Sequence, residues 1–139
     1  MKKEVIYFDA VAYGPFAKCE LTNGCLESDY RNMDEEAFGE RKKIELDESK
    51  ILFFWKRIDE LEVCDWKKGY HHSLNEPEPL PDGYTWEVKL RNRDGKSKYS
   101  TGYEKFPKTF KKFVDELNKL FETKITYWIK IYLFIIVIV

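Results

Sequence analysis

Residues 82–122 decide the fold, and they read DGYTWEVKLRNRDGKSKYSTGYEKFPKTFKKFVDELNKLFE. Apolar and polar residues alternate on both sides of Asp94-Gly95, a residue pair that is typical of tight hairpin turns. We therefore predict a strand at 84–92 and a return strand at 96–102.

A two-residue turn at Asp94-Gly95 would fix which side chains share a face of this hairpin. Six side chains would share the buried face, in the pairs Leu90–Tyr99, Val88–Thr101 and Trp86–Tyr103. Five basic side chains would share the exposed face: Lys89, Arg91, Arg93, Lys96 and Lys98.

A helix is predicted to follow the hairpin. Gly102 ends the return strand, and Pro107 suits the first turn of a helix because the N–H that proline lacks is not needed there. Six apolar residues then recur at helical spacing: Phe110, Phe113, Val114, Leu117, Leu120 and Phe121. We predict this helix at 107–122.

The beginning of the chain predicts three more strands. Residues 4–13 read as the first strand. The runs 16–21 and 25–30 flank Asn23-Gly24, the strongest short signal for a hairpin, since both turn positions need a positive φ.

The register of this hairpin places two of the three cysteines. A two-residue turn would give the pairs Thr22–Cys25, Leu21–Leu26, Glu20–Glu27 and Cys19–Ser28. Because successive side chains alternate between faces, Cys19 would lie on the core face and Cys25 on the opposite one. We expect no disulfide between them.

Residues 41–46 favour a further short strand in this half. A helix at 48–62 follows, with Asp47 as its N-cap. Its apolar stripe comprises Ile51, Phe54, Trp55, Ile58 and Leu61. We expect Trp66 and Tyr70 to pack in the core beyond the end of this helix.

These elements predict a single α+β domain at residues 1–122. We expect an antiparallel sheet of about five strands in two hairpin-plus-helix halves, with two helices packed on one face. A proline-containing loop at 71–81 would join the halves.

A hydrophobic tail at 123–139 follows the domain. From Ile125 the chain is apolar except for a few residues such as Lys130, and a helix over these residues would reach only ~22 Å, short of a ~30 Å hydrocarbon core. Three interpretations compete. The tail is a buried final strand, a short membrane anchor with Tyr127 and Trp128 at the interface, or a non-native extension of the reading frame.

Composition limits the classes of protein. Residues 1–80 carry 12 basic and 18 acidic residues, whereas residues 81–139 carry 12 and 7. The odd number of cysteines argues against a secreted disulfide framework, and the apolar run after the first residues is too short for a signal peptide. We expect a cytoplasmic location.

The order of motifs resembles that of small uncharacterised domains found in Firmicutes and related bacteria. The residues that carry the resemblance are Trp66, Tyr70, Asp82, Gly83, Trp86, Gly102 and Pro107. It covers roughly residues 4–122. The resemblance implies a bacterial α+β domain of the same fold and brings no activity with it.

Motifs for catalysis and cofactor binding are missing from the sequence. The chain has no Gly-x-Ser-x-Gly and no glycine-rich phosphate loop. Four side chains of the types that bind zinc are Cys64, His71, His72 and Glu76, but their spacing matches no compact zinc motif. We therefore expect no enzyme activity, no metal and no cofactor.

The sequence favours a non-catalytic protein-interaction module, such as an immunity-type or accessory protein, with another protein as its partner. One alternative is nucleic-acid binding through the basic hairpin at 89–98, and another is membrane association through 125–139. A candidate pocket comprises Asp82, Trp86 and Tyr103, where a turn carboxylate would lie beside two aromatic rings.

Overall fold

The computed structural model describes residues 3–12, 14–32, 40–71 and 83–126. The strands are β1 (Val5–Val11), β2 (Phe16–Thr22), β3 (Cys25–Arg31), β4 (Glu40–Glu45), β5 (Gly69–Tyr70), β6 (Thr85–Arg91) and β7 (Ser97–Tyr103). The helices are α1 (Glu48–Glu60) and α2 (Phe110–Phe121), with a short 3-10 helix at Val63–Asp65. The strands form one mixed sheet in the order β4-β3-β2-β1-β6-β7-β5, and both α-helices pack on one face.

The α+β class and the two helices agree with the sequence, but the expectation of about five antiparallel strands does not hold. The sheet has seven strands, and β5 runs parallel to β7. This edge strand is only two residues long. Beside it, the N–H of Thr101 donates to the carbonyl of Lys68 (2.9 Å). A strand of two residues is too short to show an alternating pattern in a sequence.

The first hairpin has the predicted register. β2 and β3 pair Thr22 with Cys25 and Cys19 with Ser28, and Asn23 and Gly24 both have positive φ. Cys19 is buried on the helix side of the sheet, and its burial raises the pKa of the thiol. The two cysteines lie on opposite faces, as expected.

The second hairpin has a different register from the predicted one. Its turn has three residues, 93–95, because the N–H of Asn92 bonds to the carbonyl of Lys96 (3.0 Å) and Gly95 is left-handed (φ 85°). The side chain of Asn92 stabilises this turn by accepting bonds from the N–H groups of Asp94 and Lys96, both at 3.0 Å. The pairing therefore shifts by one residue.

The shift places different side chains on the two faces of β7. The observed pairs are Leu90–Lys98, Val88–Ser100 and Trp86–Gly102. The prediction that Tyr99, Thr101 and Tyr103 lie on the buried face is therefore wrong, because a shift of one residue exchanges the faces of a strand. Gly102 does not end the strand but faces the core beneath Trp86.

Both helices begin and end close to the predicted residues. Asp47 caps α1 by accepting from the N–H groups of Ser49 (2.9 Å) and Lys50 (3.2 Å), and its bond from the Ser49 side chain is the main reason that the pKa of Asp47 is lowered. The second helix starts at Phe110 rather than at Pro107. Residues 107–110 form a turn first, in which the N–H of Phe110 donates to the carbonyl of Pro107 (3.1 Å).

Residues 123–126 remain packed on the domain beyond the boundary predicted at Glu122. The side chain of Asn118 binds both backbone groups of Ile125, accepting from its N–H and donating to its carbonyl at 2.9 Å each. Ile125 is itself part of the core. Asn118 thus continues the fold past the end of α2.

Asn32 binds the backbone groups of the two residues that flank Ile125. Its amide donates to the carbonyl of Lys124 (2.8 Å), and its oxygen accepts from the N–H of Thr126 (3.0 Å). The rest of the predicted tail, 127–139, lies outside the described residues. Among the residues that the structure does describe, no helix is long and apolar enough to cross a membrane.

We expect the change Gly102→Ala to destabilise the fold by about 2–3 kcal/mol. A Cβ at this position would lie 2.3 Å from Nε1 of Trp86, and the backbone there needs no positive φ. Urea unfolding followed by circular dichroism measures the loss. Gly24→Ala is the control: no atom lies within 4 Å of its Cβ, so only the left-handed backbone (φ 77°) opposes it, at about 1 kcal/mol. Equal losses in both variants would contradict the packing argument.

We expect Asn118→Ala to cost about 2–3 kcal/mol of unfolding free energy, because it leaves the backbone N–H and carbonyl of Ile125 without their partners. Lys112→Ala, an exposed change on the same helix, should alter stability by less than about 0.5 kcal/mol. If the two variants unfold at the same urea concentration, Asn118 does not hold residues 123–126 in place.

Candidate functional site

The candidate site is the outer face, by which we mean the side of the sheet turned away from α1 and α2. Among residues 3–12, 14–32, 40–71 and 83–126, no helix or strand packs over this face. Its six basic side chains are Lys18, Arg31, Arg41, Lys43, Lys89 and Arg91, and its six acidic ones are Asp9, Glu20, Glu27, Asp29, Glu45 and Glu87. Their formal charges cancel.

Three neighbouring strands place a row of aromatic and basic side chains at the centre of the outer face. β6 pairs Lys89 with Tyr7 on β1 and with Tyr99 on β7. The ammonium Nζ of Lys89 lies 5.1 Å from the ring centroid of Tyr7 and 5.9 Å from that of Tyr99. Both distances lie within the ~6 Å reach of a cation–π interaction, so both rings stabilise the same charge. We call this set the tyrosine–lysine row.

Both phenols of the row donate to carboxylates on their own side of the sheet. The hydroxyl of Tyr7 donates to Asp9 (3.2 Å), and that of Tyr99 donates to Glu87 (3.0 Å). Glu87 also forms an ion pair with Lys89 (3.5 Å). The row is therefore a connected network of rings, acids and one central lysine.

The network shifts the pKa values of both phenols upward. Burial raises the pKa of Tyr7 to about 12, and the charges of Asp9, Glu87 and Glu20 add to this effect. The bond to Glu87 is the main reason that the pKa of Tyr99 is raised. Both phenols are hydrogen-bond donors at neutral pH, and the raised pKa values extend this state further into the alkaline range.

The basic residues that the sequence places on one ribbon do not share a face. Lys98 lies on the helix side, where its ammonium donates to the carbonyls of Cys64 (3.1 Å) and Trp66. Arg93 lies in the turn and binds the carboxylates of Glu4 (3.1 Å) and Glu48. The one-residue shift in register and the longer turn separate these two residues from the rest.

The other three residues of the predicted ribbon are less constrained. Lys89 belongs to the tyrosine–lysine row, and Arg91 lies on the outer face with its guanidinium bonded to the carbonyl of Lys3 (3.1 Å). Lys96 is exposed beside the turn. Only Lys89 and Arg91 of the five residues are thus part of the outer face.

The candidate pocket is not assembled by the described residues. Asp82 lies outside them. Trp86 is 1% exposed on the helix side and donates to the carbonyl of Lys105 (2.9 Å). Tyr103 lies on the outer face, where its hydroxyl accepts from the N–H of Gly83 (3.0 Å). The two rings therefore lie on opposite sides of the sheet.

Of the four zinc-type side chains, only Cys64 and His71 are among the described residues. In the described part of the chain, no group of three or more His, Cys, Asp or Glu side chains is arranged to hold a metal ion. His71 instead lies 3.3 Å from the hydroxyl of Thr101.

The sequence reasoning missed the tyrosine–lysine row. Tyr7 and Asp9 alternate with buried residues in β1, which already suggests an exposed pair. Tyr99 lies on this face because the turn at Arg93-Asp94-Gly95 has three residues with glycine at the left-handed position, whereas Asp94-Gly95 alone predicts a turn of two.

No protein-family model matches this chain, and no curated protein matches it either.

We expect Asp9→Asn to lower the pKa of Tyr7 from about 12 to a value still above 10.0, because burial, the largest cause, remains. A residue-specific NMR titration of the nine tyrosines measures it. Since folding raises this pKa, Tyr7 stabilises the fold below pH 10, and that contribution is lost as the pH rises through about 12. Asp29→Asn, on the same face, is the control, and an equal shift there would contradict a local cause.

Proposed function

We propose that this chain is a non-catalytic protein-interaction module, of the immunity or accessory type, that binds its partner through the outer face. The observation that carries the proposal is the tyrosine–lysine row at the centre of that face. Tyrosine is enriched in protein interfaces because it buries a large ring while its hydroxyl keeps a polar partner. Tyr99 is 40% exposed, so its ring is accessible to a partner.

The charges of the outer face favour a protein over a nucleic acid. A surface that binds phosphates needs an excess of lysine and arginine. Here the six acidic side chains balance the six basic ones. Of the basic hairpin, Lys98 and Arg93 are already engaged within the domain. A mixed surface of this kind suits the complementary charges of a folded protein.

Among the described residues, three other large apolar side chains are about half exposed. They are Val11 and, on α1, Leu52 and Phe53. Adjacent residues of a helix point about 100° apart, so these two side chains do not face each other. The outer face therefore offers the larger contiguous surface.

A site-specific photo-crosslinking experiment tests the proposal. We expect a photo-reactive residue at Ser97, which is exposed on the outer face beside Tyr99, to cross-link a discrete protein in cells that express the chain. The product should be lost when Tyr99→Ala is added, because that change removes one ring of the tyrosine–lysine row and leaves the buried core intact. The same photo-reactive residue at Lys111, exposed on α2, is the matched control and should give no such product.

Two results would overturn the proposal. Cross-links from position 111 but not from position 97 would place the interface on the helices. Recovery of nucleic acid instead of protein from position 97 would favour the alternative of nucleic-acid binding.

A further inference from the structure

The tyrosine–lysine row has the dimensions of a slot for one cation. Neighbouring strands lie ~4.8 Å apart, so Tyr7 and Tyr99, which flank β6, are ~10 Å apart at the backbone. Two aromatic rings at that separation leave room for one ammonium or guanidinium group between them, and Lys89 occupies this space.

The surroundings of the slot favour a positive charge. Three carboxylates, those of Asp9, Glu20 and Glu87, lie near the rings, against the two ammonium groups of Lys18 and Lys89. Each phenol donates a hydrogen bond to a carboxylate, which polarises the ring and strengthens its attraction for a cation. Around Tyr7, these carboxylates outnumber the two ammonium groups, and the guanidinium of Arg91 is bonded to the carbonyl of Lys3.

Lys89 is held weakly in the slot. Its side chain is 52% exposed, and its ion pair with Glu87 is 3.5 Å long. Exposed ion pairs of lysine contribute little to stability, and the long side chain has many other rotamers available in water. Lys89 can consequently move into solvent without disturbing the sheet.

Resting on the interaction role proposed above, we propose that the tyrosine–lysine row is a binding slot for an arginine side chain of the partner protein, and that Lys89 occupies this slot in the free protein. A guanidinium is flatter and less strongly hydrated than an ammonium, and it stacks on aromatic rings. It can also bond Glu87 through two N–H groups at once. An arginine therefore fits the slot better than the lysine that it displaces.

The neighbouring positions limit where the arginine can enter. Arg91 faces the same side two residues along β6, but its guanidinium is bonded to the carbonyl of Lys3, away from the row. Lys18 approaches Tyr7 from β2, with its ammonium 5.8 Å from the ring centroid. The approach over Tyr99 and Glu87 is thus the one with the least positive charge.

Titration with N-acetyl-arginine amide tests the inference, followed by NMR of the tyrosine ring signals. We expect shifts at Tyr7 and Tyr99, and binding about 2- to 5-fold tighter in Lys89→Ala than in the wild type, because the competing lysine is gone. Binding should be lost in Tyr99→Ala. Lys43→Ala is the matched control, since this lysine pairs with Glu27 on the same face and should leave the affinity unchanged.

N-acetyl-citrulline amide, a neutral compound of nearly the same shape, controls for the charge and should not bind. The inference is overturned if neither the wild type nor Lys89→Ala shows shifts with the arginine compound, if Lys89→Ala binds it more weakly than the wild type, or if citrulline binds equally well. A short single-stranded oligonucleotide that shifts the same rings without any response to the arginine compound would also overturn it.

This titration needs no partner protein, so it separates the two proposals. Arginine binding without any cross-link at position 97 would overturn the interaction role and leave the row as a site that recognises arginine. A cross-link at position 97 without arginine binding would overturn the slot alone.

Discussion

The conformation of the turn at residues 93–95 is the constraint on which the rest of the structure depends. Gly95 is left-handed there, and the side chain of Asn92 binds two backbone N–H groups that would otherwise be free. The turn is one residue longer than a two-residue hairpin turn, so every residue of β7 moves to the opposite face. Lys98 is thereby on the helix side, and Tyr99 joins Lys89 on the outer face.

The same register explains how the chain between the helix α1 and β5 packs against β7. The inner side chains of β7 are Lys98, Ser100 and Gly102, none of which adds apolar bulk. Ser100 donates to the carbonyl of Lys67 (2.6 Å), so the backbone of this segment lies directly on the strand. The space above Gly102 is filled by Trp86. A bulky residue at position 100 would push the segment off the sheet.

The sequence predicts those parts of the fold that depend on local patterns. Asn23-Gly24 permits one tight turn, so the register of the first hairpin follows from it, as does the N-cap at Asp47. Arg93-Asp94-Gly95 permits a turn of two or three residues, and the bonds of the Asn92 side chain together with the packing of Trp86 against Gly102 favour the longer one. The tyrosine–lysine row does not follow from local patterns, because β1 lies far from β6 and β7 in the sequence. Without the strand order, nothing relates Tyr7 to Tyr99.

As the interface that we propose, the outer face would have to meet two opposing requirements: it would have to stay in water when alone and gain free energy when covered. Its outer ion pairs, Arg41–Asp29 (3.4 Å) and Lys43–Glu27 (3.8 Å), are exposed and contribute about 0–1 kcal/mol each, so they act mainly to keep the face hydrated. The two rings at the centre are different, because interactions with a charge strengthen when water is excluded. In the arginine slot that we propose, Lys89 would shield the rings in the free protein, and a cation that brings its own surrounding surface would exclude water and replace it.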